Sequence, residues 1–275
     1  MVKISLGVTD TRKITAALSD KGYPDFAGYA LVSLKRRLEL ALSYFGLTGP
    51  DALIARINDE DSFAGLLVSR ISVETTELFR DPSMWRLFRD RILTELFRSG
   101  GDVKFWLPGS VSAEDPVSLI ILLKESGYLN RSVIRVSSLS NNSLENIRTG
   151  TLSMKKIEVS EANYSKFQGK GEFCDYMIVK EDIQYLDTEL LKDVDYSLEE
   201  SLVSGSGDKF DCILMRDLMI YLNPNLGNKV LEAVSGNLDA GGILVTGSGE
   251  CLSNYFIGKN FKQIDESEKI YKKIK

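Results

Sequence analysis

Apolar residues in the first hundred positions follow the spacing of amphipathic helices. Five of them recur at intervals of three and four residues, namely Leu31, Leu34, Leu38, Leu42 and Phe45. Such spacing places them on one face of a helix. The pattern returns at 51–57, 63–72 and 85–97, with Gly and Pro between the segments. Residues 1–98 are therefore predicted to form a small helical domain.

The pattern changes after Gly101. Short apolar runs rich in β-branched and aromatic residues occur at 103–107, 133–137, 210–215 and 242–246. Helical stretches lie between them, at 112–125, 143–148 and 226–238. Strands that alternate with helices are typical of a parallel sheet with helices on both faces, whose ligands bind beyond the carboxyl ends of the strands. Residues 101–275 are predicted to form such an α/β domain, with a strand-rich insertion at 166–186.

The composition excludes several kinds of chemistry. Among 275 residues there is no His, so a Ser-His-Asp triad, a Cys-His pair and a His-ligated metal are excluded. The three cysteines, Cys174, Cys212 and Cys251, are far apart, so neither a disulfide framework nor a zinc site is expected. Unpaired cysteines are typical of a reducing compartment.

The charge and the hydropathy of the chain indicate a soluble cytoplasmic protein. The net charge of −5 argues against a nucleic-acid partner. The amino-terminal segment lacks the continuous apolar run of a signal peptide, and the longest aliphatic run, 119–123, is far too short to cross a membrane. We therefore expect no membrane insertion and, by default, a monomer.

The first motif is a predicted turn between a strand and a helix, at residues 105–116. Ser112 is a plausible helix N-cap, Asp115 stands at the capping-box position and Pro116 lies in the first turn. In such a turn a ligand can approach backbone N–H groups and the positive end of a helix. The alternative is a capped helix with no ligand.

Two further motifs combine charged and aromatic residues. Thr76–Asp81 lies in the helical half, and an Arg before an Asp is usually a surface ion pair. In 210–222, an apolar strand leads into Arg216 and Asp217, with Tyr221 beyond the strand's carboxyl end. That edge is where parallel sheets bind ligands, although a lone Tyr is more often a core residue.

Together these motifs resemble the CheR family of S-adenosylmethionine-dependent protein-glutamate methyltransferases, which modify chemotaxis receptors. The family's T-x-F-F-R-D stands at 76–81, with Leu78 for the first Phe. Its W-S-x-x-C-S-T-G-E-E-P-Y-S aligns with 106–118, and its F-D-x-I-x-C-R-N-V-x-I-Y-F with 210–222. Its G-G-x-L and G-x-S-E elements resemble 241–250.

The resemblance implies a class I methyltransferase fold of the Rossmann-like type. This fold has a seven-stranded, mostly parallel sheet, joined here to a small all-helical N-terminal domain. The implied reaction moves a methyl group from S-adenosylmethionine to a glutamate carboxylate and leaves S-adenosylhomocysteine. A glutamate is already ionised at neutral pH, so the absence of His is no obstacle.

The resemblance also implies roles for individual residues. Arg80 and Tyr221 would hold the substrate carboxylate, with the third catalytic residue, Arg216, nearby. The positions implied to bind the cofactor are Thr76, Arg80, Pro108, Gly109, Glu114, Ser138, Glu189 and Arg216. The implied partner is a chemoreceptor, or another signalling protein that carries acceptor glutamates.

The basic residues 35–37 and the single residue Glu250 have two interpretations each. Residues 35–37 form either a basic face for an acidic receptor helix or a solvated helix face. Glu250 either touches the cofactor or caps a loop.

Four positions depart from the family pattern. The motif glycine is Ala113, whose methyl group is expected to intrude in the tightest turn. The acidic residue that accepts the ribose hydroxyls is Ser138, and the family's two Asn positions are Glu189 and Asp217. Two hypotheses follow. The protein is an active methyltransferase with a divergent cofactor pocket, or it is a catalytically degenerate binding or regulatory module in which cofactor binding is weak or lost.

Overall fold

The computed structural model describes residues 5–23, 26–72, 77–150, 157–180, 183–199 and 201–275. None of the helices in these ranges is long and apolar enough to cross a membrane.

Four helices near the amino terminus surround a hydrophobic core of their own. They are α1 (Val8–Asp20), α2 (Leu31–Tyr44), α3 (Pro50–Asp59) and α4 (Asp61–Ile71). The predicted apolar face of α2 is buried at Leu34, Leu38 and Leu42, whereas Leu31 is 39% exposed. Leu31 is the first residue of α2, where it lies beyond the neighbouring helices' core.

The next helical segment packs with the sheet instead of with α1–α4. It contains α5 (Pro82–Leu87), a π-helical turn (Phe88–Ile92) and α6 (Leu93–Leu96). Its Trp85 and Phe88 belong to the same core as the central strands. Along the chain, the change from the core of the helices to the core of the sheet therefore falls between Ile71 and Leu78. The division of the domains at residue 98 stays a prediction.

The second part of the chain contains the strands and the helices that cover them. The strands are β1 (Val103–Leu107), β2 (Ser132–Ser138), β3 (Met177–Lys180), β4 (Ile183–Leu186), β5 (Val194–Leu198), β6 (Phe210–Met215), β7 (Leu238–Thr246), β8 (Phe261–Asp265) and β9 (Ile270–Lys273). The helices are α7 (Glu114–Glu125), α8 (Asn141–Arg148), α9 (Ile157–Phe167) and α10 (Pro224–Asn237).

Seven of these strands form one sheet in the order β5-β2-β1-β6-β7-β9-β8. Strands β5, β2, β1, β6 and β7 pair in parallel, and β9 pairs antiparallel with β7 and β8. The prediction of a mostly parallel seven-stranded sheet is confirmed. Strands β3 and β4 form a separate antiparallel hairpin inside the stretch predicted to be a strand-rich insertion.

The strand order places a crevice at the carboxyl end of β1. Chain connections leave β1 toward β2 on one side, and β6 lies on the other, which is the kind of switch point where open parallel sheets bind ligands. The helical part reaches this edge through a backbone bridge between Tyr29 and Leu222. The amide of Ala30 also donates to the Tyr221 carbonyl at 2.7 Å.

The Glu250 carboxylate fixes the chain where it leaves β6. It accepts hydrogen bonds from the backbone N–H groups of Asp217 (3.0 Å), Ile220 (3.2 Å) and Gly247 (2.7 Å), and also from Met219. Burial raises the pKa of Glu250, and these N–H donors oppose the shift. Of the two interpretations of Glu250, the structure favours the loop cap.

We expect Glu250→Gln to lower the free energy of unfolding by about 3 kcal/mol, because the amide group leaves buried N–H groups without an acceptor. Urea unfolding measures the change. Glu232→Gln on the exposed face of α10 is the control and should change stability by less than about 0.5 kcal/mol. Equal stability of the two variants would show that Glu250 does not hold the loop.

Candidate active site

The turn after β1 lines a small recess at the carboxyl edge of the sheet. The recess has a volume of about 40 Å³, and its walls include Pro108, Gly109, Asp115 and Arg216. Gly109 has a φ of 61°, and a Cβ there would lie 3.0 Å from the side chain of Leu202. A glycine is required at this position both by its backbone conformation and by the close approach of Leu202.

The structure corrects the expected effect of Ala113. This residue has φ −79° and ψ −15°, so its backbone is helical, and its side chain is buried in the core under the sheet. The extra methyl group adds packing and causes no strain. The tight turn is at Gly109, four residues earlier.

Arg216 is the centre of a buried charge network. Its guanidinium donates to Asp115 Oδ1 at 2.7 Å, to Asp81 Oδ2 at 2.7 Å and to the Arg80 carbonyl at 3.0 Å. The side chain is 1% exposed, and the guanidinium lies 5.6 Å from the centre of the Trp85 ring. Arg216 therefore joins the exit of β6 to the start of α7 and to the turn at 80–81.

Burial and charge act in opposite directions on this network. Burial raises the pKa of Asp115, and the Arg216 charge opposes that shift. Burial would lower the pKa of Arg216, but the carboxylates of Asp115, Asp81 and Asp217 outweigh it and raise that pKa. Arg216 is consequently a fixed positive charge among acidic side chains.

Arg80 lies at the outer side of the network with its side chain 40% exposed. Its Nη1 is 3.6 Å from Oδ2 of Asp217. Asp217 has a positive φ of 55°, a left-handed conformation that Asn and Asp adopt more readily than most residues. A Cβ at Gly247 would collide with the Asp217 carboxylate, so Gly247 makes room for it.

Tyr221 lies in a separate groove between α2 and the segment after β6. The groove has a volume of about 390 Å³ and is lined by Arg36, Arg37, Arg70 and Tyr221, among others. The Arg37 guanidinium is 5.2 Å from the centre of the Tyr221 ring. The ring thus faces a basic groove, apart from the recess beside β1.

The structure brings some of the remaining predicted site residues to this edge of the sheet and leaves others away from it. Glu114 is buried at the start of α7. Ser138 is buried at the end of β2, and its Oγ accepts from the Ser140 amide at 3.4 Å. Glu189 is exposed on a short helix that precedes β5, so it lies toward the amino ends of the strands. There it pairs with Lys192 at 3.3 Å. Thr76 lies outside the described residues.

One carboxylate at this edge was missed by the sequence analysis. Glu199 follows β5; its Oε1 accepts from the Ser137 hydroxyl, and its Oε2 accepts from the Gly109 amide at 3.3 Å. It also lines a cleft of about 550 Å³ together with Tyr23 and Leu139. An acidic residue just past the strand 194–198 was the available signal, but that strand was not identified.

Burial raises the pKa of Glu199 to about 7, with the donors Ser137 and Gly109 opposing the shift. Other ionisable groups near it are Lys21 in the wall of the cleft and the partly buried Tyr29, whose own pKa is also raised by burial. Glu199 is half-buried, so part of its side chain remains accessible from the cleft.

We expect Arg216→Met to lower the free energy of unfolding by about 3–5 kcal/mol, because it leaves the carboxylates of Asp115 and Asp81 without their buried partner. Urea unfolding at pH 7 measures the loss. The control is Arg98→Met, at an exposed arginine on the helix end before β1. A loss below 1 kcal/mol for Arg216→Met would contradict the network.

We expect Glu199→Gln to raise the melting temperature relative to the parent protein more at pH 8 than at pH 5. The native pKa of Glu199 lies above the unfolded one, so the parent's stability falls as pH rises from about 4.5 through 7. Glutamine cannot ionise and avoids this loss. Thermal unfolding at both pH values tests the sign, and an equal difference at the two pH values would show an unshifted pKa.

Comparison with known proteins agrees with this architecture. The family model described as CheR methyltransferase, SAM binding domain, matches residues 74–270. A putative methyltransferase, Cher3, from Pseudomonas putida is 27% identical over 267 residues, which are 96% of each chain. The chemotaxis protein methyltransferase 1 of Pseudomonas aeruginosa is 24% identical and covers 79% of this chain and 81% of its own. The family match extends over most of the sequence, and the chain belongs to the CheR family of S-adenosylmethionine-dependent methyltransferases.

Proposed function

We propose that this protein transfers a methyl group from S-adenosylmethionine to a glutamate carboxylate of a chemoreceptor or a related signalling protein. The observation that carries the proposal is the placement of Arg80. Its backbone carbonyl is held by the buried Arg216, while its guanidinium is partly exposed beside the recess residue Asp217. An accessible guanidinium on a held backbone binds a carboxylate well.

The residues at the sheet edge fit the cofactor. Gly109 presents backbone without a side chain, and the recess beside it has two carboxylates, Asp115 and Asp217, against the one guanidinium of Arg216. This balance suits the positive charges of a sulfonium and an amino group. Glu199 connects this recess to the larger cleft, because it bonds to the Gly109 amide and also lines the cleft. We assign the cleft to the adenosine part of the cofactor and the space at the mouth of the recess to its methionine part, because the recess itself, at about 40 Å³, holds little more than a water molecule.

The cofactor supplies an electrophilic methyl group when it is bound. The chain's own residues then have to bring the acceptor carboxylate into line. Arg80 would bind that carboxylate, and an ionised glutamate needs no general base at neutral pH. Positioning of the acceptor and electrostatic stabilisation are therefore enough for the reaction in a protein that has no His.

Asp217 adds a competing charge to this site. Its carboxylate already lies 3.6 Å from the Arg80 guanidinium, at a position where the resemblance has a neutral Asn. An acceptor glutamate therefore has to displace Asp217 from Arg80. This competition favours an acceptor that is delivered by a docked protein over a free amino acid.

The groove beside Tyr221 is the proposed entry for the acceptor. Arg36, Arg37 and Arg70 give it a positive wall, which attracts an acidic protein segment. Residues Asp217–Tyr221 connect the Arg80 contact with this groove, which is why we propose that a protein segment docks here to reach Arg80. A cytoplasmic, monomeric protein remains our expectation for this role.

We expect Arg80→Ala to reduce methyl transfer to receptor-containing membranes at least about 100-fold, because the acceptor carboxylate loses its charged partner. Transfer of a labelled methyl group measures the rate, and the melting temperature should stay within about 2 °C of the parent value. Arg98→Ala is the matched control and should keep full activity. Unchanged transfer by Arg80→Ala would remove Arg80 from the mechanism.

Failure of the parent protein to transfer methyl groups or to bind S-adenosylhomocysteine would overturn the proposal. In that case the degenerate binding module becomes the better description. Calorimetric titration with S-adenosylhomocysteine separates the two possibilities without an identified acceptor. A ligand at 100 times its dissociation constant stabilises a protein by about 2.7 kcal/mol, so a thermal shift gives an independent second readout.

A further inference from the structure

At the carboxyl edge of the sheet, the acidic side chain of Glu199 follows β5, whereas the family resemblance implies an acidic side chain after β2. Ser138 pairs with Leu198 in the parallel register of β2 and β5, and the Glu199 amide donates to the Ser138 carbonyl at 2.7 Å. Glu199 is therefore the next residue along the sheet edge from Ser138. The two positions are neighbours on adjacent strands.

We propose that Glu199 is the residue that accepts hydrogen bonds from the ribose hydroxyls of the cofactor, in place of Ser138. The proposal rests on the proposed function for the presence of the cofactor. It assigns the contact to a residue outside the motifs that carry the family resemblance. It concerns only the adenosine end of the site.

Ser138 is poorly placed for the task. Its side chain is fully buried, and its hydroxyl is within hydrogen-bond distance of the Ser140 amide in its own loop. It does not line the cleft described above, whereas the residue after it, Leu139, does. A serine hydroxyl also lacks the two oxygens that accept from two vicinal hydroxyls at once.

Glu199 has both the position and the free acceptor capacity. A carboxylate has about four acceptor sites, and Glu199 uses two of them for the Ser137 hydroxyl and the Gly109 amide. The same side chain lines the cleft, so the unused sites are available there. Those two protein donors hold the carboxylate beside the turn where the cofactor's methionine part is assigned.

The cleft around Glu199 suits a nucleoside. Its volume of about 550 Å³ lies in the range of small-molecule sites. Leu139 and Leu198 provide apolar surface for a base, and the amides of Asn141 and Asn142 provide polar groups at the rim. Lys21 and Tyr23 of the helical part form the opposite wall.

The electrostatics of Glu199 agree with a role in binding. Its raised pKa shows that the protein alone does not compensate fully for the buried charge. Hydroxyl donors of a bound ribose would supply the missing hydrogen bonds. A buried carboxylate that lacks donors in the free protein and gains them from a bound ligand contributes to the affinity for that ligand.

The test is a binding cycle by calorimetry at pH 8. The parent protein, Glu199→Gln and the control Glu232→Gln are titrated with S-adenosylhomocysteine and with its 2′-deoxy analogue. We expect Glu199→Gln to bind S-adenosylhomocysteine at least about tenfold more weakly than the parent and the control do. We expect the parent to discriminate against the deoxy analogue about tenfold, and Glu199→Gln to discriminate less than threefold.

The outcomes are distinct. Binding of S-adenosylhomocysteine by Glu199→Gln within twofold of the parent would overturn the assignment, as would equal discrimination against the deoxy analogue by both proteins. A melting temperature of Glu199→Gln at or above the parent's at pH 8 shows that weaker binding does not come from misfolding. No binding by the parent would refute the cofactor assignment itself, together with this inference.

Discussion

The site depends on one buried guanidinium. Arg216 binds two carboxylates and a carbonyl from two other segments of the chain, and its side chain has almost no contact with solvent. A buried charge is tolerated only when it is paired in this way, and the pairing fixes all three segments at once. The resemblance suggested Arg216 as a catalytic and cofactor-binding residue. In the structure Arg216 holds the turn that carries the partly exposed Arg80.

Around this network the protein accumulates negative charge. Asp81, Asp115 and Asp217 face Arg216 and Arg80, and Glu250 binds the backbone just beyond. Three carboxylates thus share two guanidiniums, and the fourth binds only backbone N–H groups. A site with this balance favours a cationic ligand and resists an anionic one, unless the anion displaces a resident carboxylate. The carboxylates of the recess and the partly exposed Arg80 therefore lie side by side at the same edge of the sheet.

Periodicity and motif spacing predicted the fold well because both depend on local sequence. The helical face of α2 and a parallel sheet followed from the periodicity, and the seven-stranded, mostly parallel arrangement followed from the family resemblance. Positions that depend on register were harder. Ala113 was predicted to intrude in the tight turn, but its backbone is helical and its methyl group packs in the core. Glu189 was aligned with the family's Asn position, but it lies before β5, toward the amino ends of the strands. Glu199 escaped notice because its importance comes from the pairing of β5 with β2, which no local pattern reveals.

The cleft beside Glu199 has walls from both the helical part and the sheet part of the chain. Lys21 and Tyr23 come from the helical part, whereas Leu139 and Leu198 come from the sheet. The two parts are joined at this edge by the backbone contacts near Tyr29 and by hydrogen bonds of Ser140 and Ser143 to α4. A molecule bound in the cleft would touch both parts, and we expect it to couple their unfolding equilibria.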